Sequence, residues 1–379
     1  MAINPDQMAA SQTLRRSRER CLNTPVDTCV IKDTIDFTLK AKSSLTYRYI
    51  LATALTAKAT DARIDILSLQ ASDESLGAYD ARSLCHHVVY PFQREFLGDV
   101  LDGANNDPLV NKPGRYPRLD GSNAAQNGDP RKVLTLLCEN LPKVNTKERA
   151  EQCLDYLVSR LLDTKRQRDA QRALFVSVAS LTTIARARLW VDELLDRGFG
   201  GAALVMATAA LYDELFPSAD GYEIRVHPAN QSGASSRQAS DLDVLHNGSF
   251  WLATELKDKP FTQADVSHAV DTASKAGAKR VLFVAGRQSA ADEQTAAYFA
   301  DNRQNWMNRG FYVGVMPIDA LVDFVFATRD VAPTRFLTSL QRAADTVKNI
   351  EASTWIYKHA EELKNESSTT ATTSVAAWT

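Results

Sequence analysis

Cysteine is scarce in this 379-residue chain, and none of its five cysteines belongs to a Cys-x-x-Cys pair. An odd number of scattered thiols predicts reduced, mostly buried cysteines, so neither a disulfide framework nor a zinc site is expected. Long apolar runs are also missing, since no stretch reaches the roughly 18 residues that a membrane span requires. The Arg-rich residues 15–20 follow no apolar segment, so no secretory signal is expected. These absences predict a cytoplasmic protein with no membrane partner.

The chain also lacks a strong net charge. Its formal charge is −2, with 24% charged and 44% hydrophobic residues. Any surface that binds nucleic acid must therefore be a local basic patch rather than a property of the whole chain. The length is sufficient for two or three domains of about 150 residues, each with its own core.

The first half of the chain has the periodicity of helices. Apolar residues recur at helical spacing over residues 44–59, 82–89, 131–141, 147–163 and 167–195. Pro91 is expected to end the second of these helices. Residues 105–128 are interrupted by prolines and glycines and are predicted to form a long loop.

From residue 201 onward, helical and strand patterns alternate. Predicted elements are a helix over 202–216, a strand over 222–227, a hairpin over 240–259, a helix over 262–276, a strand over 280–285, a helix over 290–309 and a strand over 311–316. This order predicts a mixed-sheet α/β unit. The expected segments are an N-terminal arm (1–40), a mainly helical domain (41–200), an α/β core with C-terminal helices (201–360) and a flexible Ser/Thr-rich tail (361–379).

Residues 240–259 are the most informative chemically, because they predict a β-hairpin around an Asn-Gly turn. Side chains alternate along a strand, so Asp241 and Asp243 share one face of the first strand. Glu255 and Lys257 share one face of the second. The turn folds the strands together, so two or three carboxylates and one ammonium should converge. Such hard oxygen ligands suit Mg²⁺, and the lysine can position or deprotonate a water that attacks a phosphodiester.

Alternative interpretations exist for each charged residue. Glu255 and Lys257 can form a simple ion pair on a solvated hairpin. His246 is interpreted as a turn-exposed residue rather than a catalytic base, and Glu214 as a surface helix residue rather than an additional carboxylate over the metal. Spacing alone does not choose between Asp241 and the aspartate two residues later.

Two blocks of sequence carry a family resemblance. The first contains Tyr-Arg-Tyr-Ile-Leu-Ala-Thr-Ala-Leu at 47–55, Ala-Tyr-Asp-Ala-Arg-Ser-Leu-Cys-His at 78–86 and Asn-Lys-Pro-Gly-Arg at 111–115. The second contains Asp-Leu-Asp-Val at 241–244 and Glu-Leu-Lys-Asp-Lys at 255–259. With these blocks the chain resembles the SacI-like family of type II restriction endonucleases, which belongs to the PD-(D/E)XK nuclease superfamily.

The resemblance implies an α/β fold in which a mixed-sheet PD-(D/E)XK nuclease core follows a mainly helical N-terminal DNA-recognition domain. It implies a Mg²⁺-dependent endonuclease, with Mn²⁺ as a substitute ion, that cuts double-stranded DNA at a short palindromic site in a restriction–modification system. The family pattern Asp-hydrophobic-x-Val ranks Asp241 ahead of Asp243 as metal ligand. Glu255 would be the second ligand, and Lys257 would lie near the attacking water.

Partners follow from the same resemblance. A two-fold DNA site is most simply recognised by a two-fold protein, so a homodimer is expected. A DNA methyltransferase is expected as genetic partner. A modification-dependent or structure-specific nuclease, or a DNA-binding regulator with a vestigial nuclease core, is the alternative.

Arg and Lys are the commonest bidentate partners of guanine in the major groove. Candidates for DNA contact lie in or beside the predicted loop and directly after the Glu-x-Lys motif: Arg82, Lys112, Arg115, Arg118, Arg131 and Lys259. The sequence does not identify the bases that they would contact.

Overall fold

The computed structural model of the chain describes residues 2–41, 43, 45–102, 107–110, 112–179, 183–227, 239–289 and 293–375. The chain divides into two compact units, Met1–Ala170 and Gln171–Thr379. The finer division into four segments stays a prediction.

The first unit is built from helices, as expected. They are α1 (Gln7–Asn23), α2 (Lys32–Lys40), α3 (Thr46–Thr60), α4 (Ala81–Leu84), a π-helical turn (Cys85–Val89), α5 (Tyr90–Leu97), α6 (Asp129–Asn140), a 3-10 turn (Leu141–Lys143) and most of α7 (Lys147–Ala179). Helix α3 is central, because its residues from Tyr47 to Ala59 are all buried. A helix enclosed on every side belongs to a core, and α1, α2 and α6 pack against it.

Three expected helix boundaries are wrong. The helix expected over 167–195 is not continuous, because Thr183 is the N-cap of a separate helix that begins at Ile184. Pro91 does not end a helix but lies in the first turn of α5, where its missing N–H breaks no helical hydrogen bond. The expected break at residues 164–166 is also absent, because α7 continues through it. That segment contains neither proline nor glycine, and ion pairs between Lys165 and Asp169 and between Arg166 and Asp163 support the helix there.

The predicted loop is confirmed for the residues that the structure describes. Residues 107–110 and 112–128 contain no helix or regular strand, and one isolated bridge pairs Ser68 with Arg118. Residues 105, 106 and 111 lie outside the described part of the chain.

The second unit is a five-stranded mixed sheet between helical layers. Its strands are β1 (Tyr222–Val226), β2 (Leu242–His246), β3 (Ser249–Lys257), β4 (Arg280–Ala285) and β5 (Tyr312–Pro317). Its helices are α8 (Ile184–Arg197), α9 (Ala202–Leu215), α10 (Gln263–Ala276), α11 (Glu293–Asn308), α12 (Ile318–Thr328), α13 (Pro333–Val347) and α14 (Ile350–Val375), with 3-10 turns at Phe199–Gly201 and Ser218–Asp220. The strands lie in the order β1-β2-β3-β4-β5; the first three are antiparallel and the last three parallel. The predicted mixed-sheet α/β architecture is confirmed.

Both faces of the sheet are covered by apolar contacts. Val244 and Val284 pack in one cluster with residues of α9, α12 and α13. Ala253 and Phe283 pack in another with residues of α10 and α11. Burial of each large apolar side chain contributes roughly 1.5–3 kcal/mol. Because helices cover both faces of the central strands β2, β3 and β4, the polar side chains of these strands are placed to meet a substrate at the strand ends.

Two expectations drawn from missing sequence features can be compared with the structure. All five cysteines are free thiols. Among the described residues, no single helix is long and apolar enough to cross a membrane; Ile184–Arg197 and Phe199–Leu215 pass that test only as a pair bent by 98°.

Candidate active site

The predicted hairpin is confirmed. Strands β2 and β3 pair antiparallel across the turn at 247–248, whose residues have positive φ angles of 50° and 77°, as a tight hairpin turn requires. Leu242 lies opposite Thr254. Asp241, one residue earlier, therefore lies opposite Glu255 at the open end of the hairpin.

Three charged side chains meet at this end of the sheet. Oδ2 of Asp241 accepts a hydrogen bond from the backbone N–H of Leu256 at 2.9 Å. Nζ of Lys257 donates to Oε2 of Glu255 at 3.0 Å, and the two side chains are only 24% and 16% exposed. Two carboxylates and one ammonium leave a net charge of −1. The group is thus suited to attract a cation.

The pKa values reflect this proximity. Burial and then the charge of Asp241 raise the pKa of Glu255, although Lys257 and His268 act in the opposite direction. Burial lowers the pKa of Lys257, but the charges of Glu255 and Asp241 outweigh it and the pKa is raised overall. The ammonium form of Lys257 is therefore stabilised, which favours its positioning a water or a phosphate over its removing a proton.

Asp243 has different surroundings from Asp241, although only one residue separates them. Its side chain is 1% exposed and lies 2.9 Å from Nε2 of His227. Its oxygens also accept hydrogen bonds from Oγ of Ser240 at 2.6 Å and from the backbone N–H of Ala239 at 3.1 Å. Protein groups thus surround this carboxylate.

Hydrogen bonds of residues that contact Asp243 also reach the backbone next to Glu255 and the backbone of Asp241. Oγ of Ser240 accepts a hydrogen bond from the N–H of Thr254 at 2.8 Å, next to Glu255. The N–H of His227 donates to the carbonyl of Asp241 at 3.0 Å. Sequence reasoning did not anticipate these contacts. The contact of His227 depends on the pairing of β1 with β2, and that of Ser240 on the pairing of β2 with β3.

The end of β3 is fixed by the neighbouring strand. The N–H of Gly286 donates to the carbonyl of Lys257 at 2.8 Å. A Cβ at position 286 would lie too close to Oδ1 of Asp258, so a larger residue there would displace that carboxylate. Burial raises the pKa of Asp258. Lys259 is exposed, and its carbonyl accepts a hydrogen bond from Oγ of Ser289 at 2.9 Å.

Glu214 and His246 lie in contacts of their own. The expected surface position of Glu214 is wrong, because its side chain is fully buried. Its Oε1 accepts a hydrogen bond from Nε of Arg335 at 2.9 Å, and its other oxygen contacts Nη2. His246 is partly buried and stacks on Tyr222 at 4.4 Å between ring centroids. Both side chains therefore contact other residues of the fold: Glu214 pairs with Arg335, and His246 packs against Tyr222.

Two of the candidate DNA-contacting arginines, Arg118 and Arg131, bind groups of the protein in and beside the loop over residues 112–128. Arg118 pairs with Asp65 and with Asp73. Nη1 of Arg131 donates to the carbonyls of Gly121 and Asn123 at 3.0 and 3.1 Å. Their guanidinium groups are engaged by the protein itself.

The other candidates of the first unit are exposed. Nε and Nη2 of Arg82 donate to Oδ2 of Asp107 at 2.9 and 2.7 Å. Nζ of Lys112 lies 5.2 Å from the centroid of the Tyr116 ring. Nε of Arg115 donates to a backbone carbonyl of the loop. These side chains can still reach a ligand in solution.

A metal ion at the hairpin end would need ligands beyond the protein. Among the described residues, no three His, Cys, Asp or Glu side chains are grouped closely enough to hold a metal. Mg²⁺ is usually bound by one or two carboxylates, with water and substrate phosphates completing the shell. Asp241 and Glu255 fit that pattern, whereas zinc takes three or four protein ligands.

Comparison with known proteins assigns the chain to a family. Residues 9–165 match the SacI restriction endonuclease N-terminal domain, and residues 179–287 match the SacI restriction endonuclease C-terminal domain. The chain belongs to the SacI-like restriction endonuclease family. The type II restriction enzyme SacI of Streptomyces achromogenes is 26% identical over 312 residues, which cover 78% of this chain and 82% of that enzyme. The match to the C-terminal domain of the SacI-like family contains the whole β2–β3 hairpin and β4.

Proposed function

We propose that this chain is a type II, sequence-specific endonuclease that hydrolyses phosphodiester bonds of double-stranded DNA in a restriction–modification system. Membership of the SacI-like family supports a restriction endonuclease. The observation that carries the site is the meeting of Asp241, Glu255 and Lys257 at the open end of the hairpin. Their order along the chain and their place on a mixed sheet are those of a PD-(D/E)XK core, which we assign to this sheet.

Asp241 and Glu255 would hold a Mg²⁺ ion, for which Mn²⁺ can substitute. Both offer oxygen atoms. Burial and then repulsion by Asp241 raise the pKa of Glu255, so a cation between the two carboxylates would be favoured. When bound, the ion supplies Lewis-acid stabilisation of phosphate charge and lowers the pKa of a coordinated water. We rank Asp241 ahead of Asp243 as a ligand, because three protein groups already surround Asp243.

Lys257 would orient the attacking water and the scissile phosphate. Its ammonium is held by Glu255 at 3.0 Å and is stabilised in the charged form. A fixed positive charge beside the phosphate lowers the energy of the more negative transition state without reorganisation. The buried hydrogen-bond network of Asp243, Ser240 and His227 would keep β2 and β3 in register next to this site.

For DNA contact we assign Arg82, Lys112, Arg115 and Lys259. Arg118 and Arg131 would instead shape the recognition loop. A palindromic target favours a homodimer, in which two copies meet the two half-sites. A DNA methyltransferase would protect the same site as genetic partner.

Sequencing of the cut ends tests this function. The protein is incubated with unmethylated plasmid DNA and Mg²⁺, with the Glu255→Gln variant prepared in parallel as control. The proposal expects discrete fragments from the wild-type protein, and one short palindrome should be common to all ends. Intact DNA, or ends that share no sequence, would refute it.

A further inference from the structure

An open cleft of about 310 Å³ lies in the first unit. The polar and apolar side chains that line it include Gln70, Ser72, Asp80, Arg82, Leu109 and Arg115. Loops on a rigid scaffold are where binding residues concentrate. This cleft combines segment 70–82 with the irregular loop after residue 107.

The charged side chains of the cleft are fixed by the protein. Arg82 is held by two hydrogen bonds to Asp107, at 2.9 and 2.7 Å. Nε2 of Gln70 donates to the carbonyl of Arg115 at 2.7 Å, while Nε of Arg115 bonds a loop carbonyl. Oδ1 of Asp80 accepts from the N–H of Ser83 at 2.9 Å. Side chains that are already ordered lose little entropy on binding.

Hydrogen-bonding capacity remains for a ligand. A guanidinium carries five N–H donors in a planar fork. Within the described residues, the recorded side-chain hydrogen bond of Arg115 uses Nε alone. The two terminal nitrogens of Arg115 therefore retain the fork that pairs with two acceptors at once.

The charge balance of the cleft identifies the ligand class. Two guanidiniums, of Arg82 and Arg115, line the cleft together with one carboxylate, that of Asp80. The carboxylate of Asp107 pairs with Arg82 from beside the cleft, so the charges of these four groups sum to zero. A phosphate site is cationic, and a carboxylate in its wall repels the ligand. A base edge is neutral and presents both acceptors and amino donors in the major groove. Guanidinium donors beside a carboxylate acceptor match that pattern.

We infer that this cleft binds the edge of a DNA base and that Arg115 is a specificity-determining residue, with Arg82 as its neighbour. The inference rests on the proposed endonuclease function. Arg115 contributes to the difference between cognate and non-cognate DNA and little to the sequence-independent attraction for phosphates. Its removal changes selectivity without changing salt dependence.

Binding measurements test the inference once end sequencing of the wild-type digest has given the target. Affinities for the target duplex and a random duplex are measured across a salt series in the Glu255→Gln background. The variants are Arg115→Ala and Arg115→Lys, and the control is Arg63→Ala, an exposed arginine outside the cleft that pairs with Asp61. Circular dichroism checks that each variant is folded.

Arg115→Ala should lower the target-to-random affinity ratio by about 5- to 150-fold and leave random-duplex affinity and the salt slope unchanged. Arg115→Lys keeps the charge but not the fork, so it should lose much of the ratio as well. Arg63→Ala should keep it.

An unchanged ratio in both Arg115 variants would overturn the inference. An equal loss of affinity for both duplexes would also overturn it, if the slope of log affinity against log salt concentration became shallower by about 0.9. That combination marks a phosphate contact. If the background protein itself has no preference for the target, the proposed function fails first, and that result is seen without any Arg115 variant.

Discussion

The two units both gather charged side chains, but they balance the charges differently. At the hairpin end, Asp241 and Glu255 meet one ammonium, Lys257, so a negative charge remains. At the N-terminal cleft, the charges of Arg82 and Arg115 are balanced by Asp80 in the wall and by Asp107, which pairs with Arg82 from beside it. A surplus of carboxylate attracts a divalent cation, whereas balanced donors and acceptors suit a neutral base edge. The difference supports cutting at one site and sequence discrimination at the other.

The largest expected effect separates two aspartates of the hairpin. Asp241→Asn should reduce single-turnover cleavage to background and leave the free energy of unfolding within about 0.5 kcal/mol, because its carboxylate lies at the open strand end. Asp243→Asn should instead lower that free energy by about 1–3 kcal/mol, because it disturbs a buried hydrogen-bond network, and should slow cleavage far less. Cleavage assays and urea denaturation measure both. Near-normal cleavage by Asp241→Asn, with loss in Asp243→Asn, would reverse the ranking.

Lys257 gives the next largest effect. Lys257→Ala should slow the chemical step about 10²–10³-fold under single-turnover conditions, because a preorganised positive charge is lost. DNA affinity should change little. Lys279→Ala, an exposed lysine before β4, is the control. A loss of affinity that matches the loss of rate would make Lys257 a phosphate clamp instead.

Substitution of Arg335 tests whether Glu214 is a third carboxylate of the active site, beside Asp241 and Glu255. Arg335→Ala leaves the fully buried Glu214 without its partner and should lower the free energy of unfolding by about 3 kcal/mol. The exposed Arg342→Ala on the same helix should cost far less. Thermal and urea denaturation give the comparison. A stable Arg335→Ala protein that no longer cuts DNA would place Glu214 in the catalytic machinery.

The smallest expected effect concerns Lys259. This exposed residue follows β3, and as a phosphate contact it should contribute equally to target and random duplexes. Lys259→Ala should therefore weaken both to the same extent and reduce the salt slope by about 0.9. Lys275→Ala on α10 is the control. A loss of affinity for the target duplex alone would make Lys259 a base contact. Sequence discrimination would then not be confined to the first unit.

Local patterns in the sequence predicted much of the second unit. The Asn-Gly turn set the hairpin, and alternation along β2 and β3 brought the three charged residues together. The helix expected over 262–276 matches α10, which begins with a capping box of Thr262 and Asp265. Each of these signals depends on residues close in sequence.

Contacts between distant residues could not be predicted in this way. The surroundings of Asp243 require His227, sixteen residues away, and Glu214 is paired with Arg335. Pro91 gave a misleading signal, because a proline in the first turn of a helix looks in sequence like one that ends a helix. Burial and pairing of charges are properties of the folded chain.

The most direct test of the central claim compares wild-type protein and Glu255→Gln for DNA cleavage and DNA binding in the same preparations. The account predicts that the wild-type protein cuts plasmid DNA when Mg²⁺ is added and stops when EDTA removes it. Glu255→Gln should bind DNA at least as tightly, because a negative charge near the phosphate is removed, and should leave the DNA intact. Cleavage by Glu255→Gln at the wild-type rate, or cleavage by the wild-type protein in EDTA, would contradict it.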